Sequence, residues 1–110
     1  MDIHKTQATS QRIKVEIKQE NKTIAWAYLY LIYNENHNEP YGLMENVFVE
    51  EEFRGRGIGA KLVNEIITEA KLNNCYKLIG QSRHSNQKAH KLYGELGFKN
   101  HGLNFRMDLL

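Results

Sequence analysis

The chain has 110 residues, of which 41% are hydrophobic and 25% are charged, and its net charge at pH 7 is +2. This composition is typical of a globular protein, and the positive charge is too small to indicate a nucleic-acid partner. We therefore expect one domain over residues 1–110, with the polar residues 1–11 flexible.

The cysteine, histidine and apolar content of the chain predicts its cellular compartment. It also argues against disulfide bonds, metal sites and membrane spans. Cys75 is the only cysteine, so the chain forms no internal disulfide and no cysteine-clustered zinc site. The histidines do not pair with carboxylates at metal-ligand spacing, and we predict no metal. No apolar run approaches the ~20 residues of a membrane span, and the opening residues lack the apolar core of a signal peptide. We expect a cytoplasmic protein without a membrane partner.

The first third of the chain has the pattern of two strands joined by a hairpin. Ile13, Val15 and Ile17 alternate with charged residues, which predicts a strand with one buried face. The Glu-Asn-Lys segment at 20–22 is typical of a hairpin turn. Residues 23–33 are rich in aromatic and β-branched side chains, which predicts an interior strand covered on both faces.

The middle of the chain has the pattern of a strand, a helix and a second strand. An apolar run at 43–49 predicts a largely buried strand. Apolar residues three and four apart then predict a helix from near Gly57 to Asn73. A short strand at 76–81 follows, and such a unit implies parallel pairing through a right-handed crossover.

The last third predicts one more helix and one more strand. Asn86 is a natural cap for a helix, and Gly97 is a natural stop. At 103–109 apolar and polar residues alternate, which predicts a final strand with one buried face.

A glycine-rich turn joins the strand at 43–49 to the first helix and predicts an anion site. The first turn of a helix has free N–H groups and partial positive charge, and glycines leave that backbone accessible. Two arginines add charges that do not titrate near neutral pH. The residues of this site are Arg54, Gly55, Arg56, Gly57, Ile58, Gly59 and Ala60. Their arrangement suits a pyrophosphate group.

Three phosphate-binding motifs compete for this turn. A Walker loop requires Lys and then Ser or Thr directly after its last glycine, and here Ala60 follows Gly59. The dinucleotide pattern G-x-G-x-x-A is matched from Gly55 to Ala60, but the next predicted strand ends in Gln81 rather than in a ribose-binding carboxylate. The third motif is R-x-x-G-x-G, from Arg54 to Gly59. A glycine-rich turn with solvated arginines is the alternative without a ligand.

A second motif further along the chain favours the third interpretation. The sequence from Asn86 to Tyr93 is N-x-x-A-x-x-L-Y, and a G-F pair follows at Gly97 and Phe98. The two motifs, separated by one helix and one strand, resemble the GNAT acetyltransferase superfamily. The resemblance implies a mixed α/β (α+β) fold, with a mostly antiparallel sheet, a central parallel strand pair and two main helices. It also implies an N-acetyltransferase that uses acetyl-CoA as co-substrate and acts directly on a primary amine of a small molecule or a protein.

The resemblance also implies roles for the residues that match the motifs. The main chain of Val47, Phe48 and Val49 would hold the pantetheine arm, and an N–H near Phe48 or Val49 would stabilise the oxyanion. The loop at 54–60 would hold the pyrophosphate, and Asn86 would contact the cofactor near its pantetheine. Because the acetyl group is transferred directly, no nucleophilic side chain is required.

The acid and the base of the reaction come from different elements. Tyr93 matches the general acid that protonates the leaving thiolate, although its place on the apolar stripe of its helix also suits a core residue. Some members carry a glutamate where this chain has Gln81, so Glu45 is the best remaining base. The alternative for Glu45 is a solvent-facing carboxylate with no catalytic role. A water chain, or an amine that arrives already neutral, would also suffice. His84 and His90 are weaker candidates for a proton relay.

The acceptor side departs from the superfamily pattern. Typical members begin with a strand and two helices that wall the acceptor side, and no such pattern precedes Arg12. Either the site is open and accepts something large, or a second subunit closes it in a homodimer. The alternative function is a non-catalytic module that binds acetyl-CoA, coenzyme A or a protein through the retained cleft.

Overall fold

A computed structural model describes all residues from 1 to 110. In chain order its elements are β1 (Arg12–Gln19), β2 (Lys22–Ile32), β3 (Tyr41–Val49), a 3-10 turn (Glu51–Phe53), α1 (Ile58–Leu72), β4 (Leu78–Gly80) and α2 (Gln87–Glu95). The strands form one sheet in the order β1-β2-β3-β4.

The predicted hairpin between the first two strands is confirmed. β1 and β2 pair antiparallel, with Ile13 opposite Leu29 and Val15 opposite Ala27. The turn residues Glu20 and Asn21 have φ angles of 51° and 66°. Two successive residues in the left-handed region give a tight turn whose twist matches that of the flanking strands.

The core lies between one face of β2 and helix α1. The predicted helix is confirmed at 58–72, and its apolar stripe packs directly on the sheet. The buried residues that meet there are Leu62, Val63, Ile66 and Ala70 of α1 and Ala25, Ala27, Leu29 and Leu31 of β2. Alanines at two of the four strand positions let the helix approach the sheet closely.

The other face of β2 has no helix on it. Trp26, Tyr28 and Tyr30 on this face are only half-buried. Cations of β1 cover part of it, with Arg12 Cζ 4.9 Å and Lys14 Nζ 5.7 Å from the centroid of the Tyr28 ring. The prediction that this strand is covered on both faces is therefore wrong. The aromatic side chains are shielded by neighbouring cations and their aliphatic stems instead of by a second layer.

β3 and β4 pair in parallel and then diverge. The predicted crossover through α1 is confirmed, since β4 lies parallel to β3. The pairing joins Leu78, Ile79 and Gly80 only to the segment of β3 that ends at Met44. At Asn46 the backbone has a φ of 54°, and the register between β2 and β3 shifts at the same place. This bulge bends β3 away from β4.

The predicted C-terminal strand is absent from the single chain. No helix or strand follows α2. Leu103, Phe105, Met107 and Leu109 are 71%, 89%, 80% and 83% exposed. The prediction of a strand at 103–109 with a buried face is wrong here, because these residues pair with no other strand of the chain. β4 is consequently an edge strand, and the parallel pair lies at one edge of the sheet rather than at its centre.

The remaining architecture agrees with the expected fold class. The sheet is mixed and mostly antiparallel, it has one parallel pair, and two α-helices accompany it. Residues 1–11 precede β1 and are exposed, and their flexibility stays a prediction. Neither helix is long and apolar enough to cross a bilayer.

Truncation of a core leucine tests the packing of α1. Leu62 is 0% exposed. We expect Leu62→Ala to lower the free energy of unfolding by about 2–5 kcal/mol, because the change removes buried methyl groups and leaves a cavity. The matched variant Leu72→Ala makes the same change where the side chain is 70% exposed, and it should cost less than about 0.5 kcal/mol. Urea denaturation followed by circular dichroism measures both, and equal losses would contradict this placement of the helix.

Candidate functional site

A cleft of about 350 Å³ opens where β3 and β4 diverge. Its walls are the bulged part of β3, the loop after β4 and one side of α2. Four residues selected from the sequence line it together, namely Glu45, Val47, Asn86 and Tyr93. The fold therefore brings together candidates from the third strand and from the second helix, which are far apart in the chain.

The edge of β3 that faces the cleft has no strand partner. β4 pairs with β3 only as far as Met44, and Phe48 and Val49 pair with β2 on the opposite side. The Phe48 ring stacks on Trp26, with ring centroids 4.6 Å apart, while the side chains of Val47 and Val49 pack against the core. The free N–H and C=O groups of this edge suit an extended ligand that adds like a strand.

Both arginines of the glycine-rich loop are anchored by contacts within the chain. Arg54 Nε donates a hydrogen bond to the carbonyl oxygen of Val49 at 2.8 Å, and its Cζ lies 5.4 Å from the centroid of the Phe48 ring. Arg56 lies over Phe53 in the same way, with its Cζ 5.3 Å from the ring centroid. A guanidinium has five N–H donors, so each arginine keeps donors for an anion.

The glycines of the loop have two different structural roles. Gly55 and Gly57 each have a φ of 78°, and both face open space. A side chain at either position would strain the backbone. Gly59 lies inside α1, and a Cβ there would be 3.8 Å from Leu92 Cδ2 of α2. Gly55 and Gly57 therefore shape the loop, whereas Gly59 lies at the contact between the two helices.

The first turn of α1 presents N–H groups without partners inside the helix. Gly57 caps the helix without a side-chain hydrogen bond, and the Lys61 N–H donates to the Gly57 carbonyl at 3.2 Å. The N–H groups of Ile58, Gly59 and Ala60 precede this bond and have no intrahelical acceptor. The first turn contains no acidic side chain. Free donors, left-handed glycines and two cations together fit a pyrophosphate.

Helix α2 places its two candidate residues on the cleft. Asn86 Oδ1 accepts a hydrogen bond from the Ala89 N–H at 3.1 Å, which confirms the predicted cap. Two turns later the Tyr93 ring packs on Phe98, with ring centroids 5.3 Å apart. Burial raises the pKa of the Tyr93 hydroxyl above its ordinary value of 10.0. Tyr93 is therefore a packed residue and a cleft residue at once, and its hydroxyl stays protonated at neutral pH.

Glu45 lies between two hollows of the surface. Besides the cleft, it lines a hollow of about 400 Å³ on the open face of the sheet, and Asn46 lines both hollows too. The apolar wall of this sheet-face hollow consists of Tyr30, Ile32 and Leu43. Of the candidate residues from the sequence, Glu45 alone lines both the cleft and the hollow on the open sheet face.

Six residues of the cleft wall were not candidates from the sequence. They are Met44, Asn46, Gln81, Ser82, Arg83 and Ala89. Asn46 had a local signal, because asparagine in a strand tolerates the left-handed backbone of a bulge. Arg83 had no local signal. The path of the loop after β4 brings this cation to the cleft, and no periodicity in the sequence specifies that path.

Other chemically active side chains lie outside the cleft. His84 and His90 are exposed and do not line it. Cys75 is a half-buried free thiol close to Gly42, and burial raises the pKa of its thiol. No three His, Cys, Asp or Glu side chains form a group that could hold a metal ion. The cytoplasmic location inferred from Cys75 stays a prediction.

The diverging parallel strands, the glycine-rich loop and the helix that begins there define an acetyltransferase-type α/β fold. Comparison with protein families agrees with this class. The model of the Acetyltransferase (GNAT) family matches residues 2–98, and the chain belongs to this family.

Individual relatives are similar to this chain over part of their own length. The glucosamine 6-phosphate N-acetyltransferase of Trypanosoma brucei brucei is 34% identical over 68 residues, which are 62% of this chain and 44% of that protein. An uncharacterised N-acetyltransferase of Bacillus subtilis (strain 168), YobR, is 36% identical over 53% of this chain and 24% of its own. The crystal structure of a Trypanosoma brucei acetyltransferase superposes with a TM-score of 0.82 at 25% identity, over 89% of this chain and 69% of that one. The chain thus spans less than half the length of the two curated relatives.

A pH titration tests the environment of Tyr93. Because burial raises its pKa in the folded protein, its stabilising contribution is complete below the ordinary tyrosine value and is lost as pH rises through the folded value. We expect the phenolate absorbance of the parent minus that of Tyr93→Phe to have a midpoint above 10.0. The control is Tyr33→Phe, at a tyrosine that is 60% exposed. A Tyr93 midpoint at or below the ordinary value would show that the ring is solvated.

Proposed function

We propose that this chain is an acetyl-CoA-dependent N-acetyltransferase that passes an acetyl group directly to a primary amine. The observation that carries the proposal is the cleft where β3 and β4 diverge, which gathers Glu45, Val47, Asn86 and Tyr93. Membership of the GNAT family supports the reaction class.

The cleft and the glycine-rich loop would hold the two ends of the donor. Acetyl-CoA supplies a thioester whose carbonyl carbon an amine can attack. The free backbone edge at 47–49 suits the amides of the pantetheine arm. The N–H groups at the start of α1 and the guanidinium groups of Arg54 and Arg56 suit the pyrophosphate. Asn86, at the start of α2, lines the cleft, where it would contact the cofactor near its pantetheine.

The side chains of the cleft suit the proton transfers that the reaction requires. Glu45 would accept the proton that the attacking amine loses. An N–H of the free β3 edge near Phe48 or Val49 would stabilise the negative charge on the carbonyl oxygen. The Tyr93 hydroxyl would donate its proton to the departing sulfur, and its raised pKa keeps that proton available at neutral pH. The new C–N bond forms as the C–S bond breaks.

The acceptor would enter from the open face of the sheet. Glu45 connects the cleft with the sheet-face hollow, whose wall is apolar apart from Ser10, Glu45 and Asn46. No helix restricts this entrance, which favours an amine carried on a bulky acceptor, either a small molecule or the lysine or N-terminus of a protein. The name of the trypanosomal relative makes an amino sugar phosphate the first small acceptor to test.

Removal of the loop cations tests the pyrophosphate site. We expect Arg54→Ala/Arg56→Ala to weaken acetyl-CoA binding by about tenfold or more, because two charged donors are lost from the anion site. The control Lys18→Ala/Lys71→Ala removes the same charge from exposed positions on β1 and on the last turn of α1. Isothermal titration calorimetry measures both. Equal weakening would show that net charge, rather than this loop, attracts the ligand.

Removal of one hydroxyl tests the proposed acid. We expect Tyr93→Phe to lower kcat by about a hundredfold or more while acetyl-CoA binding is retained, because the ring still packs but the proton donor is lost. The exposed Tyr33→Phe makes the same change on the surface and should leave kcat unaltered. Release of free thiol during turnover is the measurement. An unchanged kcat in Tyr93→Phe would remove this residue from the mechanism.

A second candidate function follows from the open sheet face. A site with no helix over its acceptor side is also expected of a module that binds acetyl-CoA or coenzyme A without transferring the acetyl group. This alternative predicts cofactor binding that depends on the loop arginines, with no transfer to any member of an amine panel. A single acetylated acceptor would eliminate it.

A further inference from the structure

Arg83 is the one arginine of the chain whose side chain has no partner within the protein. It lies on the loop after β4, is exposed and lines the cleft. Its guanidinium makes no ion pair, hydrogen bond or cation–π contact, whereas every other arginine makes one. The contacts of the others are those of Arg12 over the Tyr28 ring, Arg54 on the Val49 carbonyl, Arg56 over the Phe53 ring and Arg106 with the Asp108 carboxylate. All five N–H donors of the Arg83 guanidinium are therefore available to a ligand in the cleft.

The backbone of Arg83 is anchored although its side chain is free. The Arg83 carbonyl accepts the Asn86 N–H at 3.0 Å, and the Asn86 side chain caps α2. The loop is thus tied to the start of a helix that packs against the core through Leu92 and Leu96. Binding of a ligand to Arg83 would need to order only the side chain, because the backbone beneath it is already held.

The cleft contains two opposite charges that do not neutralise each other. Glu45 and Arg83 are the charged residues among those that line it, and they belong to different walls, β3 and the loop after β4. Neither of them takes part in an ion pair. A ligand that carries both an amine and an anion would satisfy both charges at once, whereas a simple amine would leave the guanidinium unpaired.

The donor molecule does not supply an anion at this place. Acetyl-CoA carries its negative charges on the phosphates of its nucleotide end, and its pantetheine arm and thioester are neutral. The glycine-rich loop at 54–60, which suits the pyrophosphate, does not line the cleft. The cleft, with Glu45 and Tyr93, suits the neutral thioester end instead. An anion that pairs with Arg83 is therefore expected on the acceptor.

We propose that Arg83 selects acceptors that carry a phosphate or a carboxylate near their primary amine, with the anion on the guanidinium and the amine at Glu45. This selection rests on the proposed function, since it concerns the acceptor of that reaction. Arginine suits both anions because its planar fork gives two parallel hydrogen bonds to them. The anion has two sources, which are a small phosphorylated or carboxylated amine and a peptide with an acidic residue next to its N-terminus.

The charges beside the sheet-face hollow favour the same class of acceptor. Arg12 pairs across the sheet with Tyr30, which lines the hollow, and Arg12 has no carboxylate partner. The next cation along β1, Lys14, is neutralised by Glu16 at 2.7 Å. An exposed cation beside an entrance raises the local concentration of anions. An anionic acceptor would thus be favoured on approach as well as in the cleft.

Matched pairs of acceptors test this selection. One pair is ethanolamine and phosphoethanolamine, and the other is a tetrapeptide with asparagine or aspartate as its second residue. We expect the parent to have a kcat/KM at least about tenfold higher for the anionic member of one pair, which identifies the source of the anion. Arg83→Gln should lower that value by about tenfold or more, mainly through KM, and should change kcat/KM for the neutral member by less than about threefold. Release of free thiol is the measurement.

Two further variants and one binding measurement control this experiment. Arg106→Gln makes the same change at an exposed arginine outside the cleft, and the preference should persist. Arg83→Lys keeps the charge but loses the fork, and it should retain part of the preference. Isothermal titration calorimetry should give Arg83→Gln the same affinity for acetyl-CoA as the parent. A weaker affinity for acetyl-CoA, equal losses for both members of a pair, or a parent without preference would overturn the proposal.

Direct binding of the acceptors separates this selection from the proposed function. Each acceptor is titrated into the chain saturated with coenzyme A. At least one anionic member should bind about tenfold or more tightly than its neutral partner, and Arg83→Gln should remove that difference. Such binding without transfer to any acceptor would support the anion site and contradict the proposed function. Transfer to neutral amines without preference for their anionic partners would support the proposed function and overturn the selection.

Discussion

The burial of one helix face against one strand face determines where everything else in this structure lies. Leu62, Val63 and Ile66 of α1 are 0% exposed against the inward side chains of β2. Because Ala25 and Ala27 have small side chains, the helix can pack closely on this face of the sheet. Because α1 is held in this way, its N-terminus is held too, and the glycine-rich loop is fixed between the end of β3 and the start of the helix.

The cleft results from a second constraint, which is the shortness of the pairing between β3 and β4. Only three residues of each strand pair before the bulge at Asn46 turns β3 away. Divergence leaves backbone donors and acceptors of β3 unpaired, and unpaired backbone groups are costly unless solvent or a ligand meets them. The same divergence makes room for α2, whose N-cap Asn86 and whose Tyr93, two turns later, lie on the opposite wall. The interruption of the sheet ladder and the candidate ligand site are therefore one feature.

Sequence patterns predicted the parts of this protein whose structure depends on neighbours along the chain. The β1–β2 hairpin, helix α1 and the Asn86 cap all depend on local turns, on helical spacing or on one side-chain hydrogen bond. Patterns were less successful where a partner distant in sequence decides the outcome. Alternation at 103–109 predicts a strand, but a strand forms only where the segment pairs with another strand, and residues 103–109 pair with none. The aromatic side of β2 is apolar enough for a second layer, yet neither helix packs there.

The sequence by itself determined the hairpin, the helices, the glycine-rich turn and the family, because periodicity, glycine placement and motif spacing are local properties. Only the tertiary structure decided that Glu45, Asn86 and Tyr93 share one cleft and that Glu45 also opens on the sheet face. It likewise decided that Arg54 is tied to the Val49 carbonyl and that Gly59 meets α2 instead of open space. The physical reason is that the relative placement of these segments depends on how closely a helix packs on a sheet and on where two strands separate. A local sequence pattern specifies neither of these.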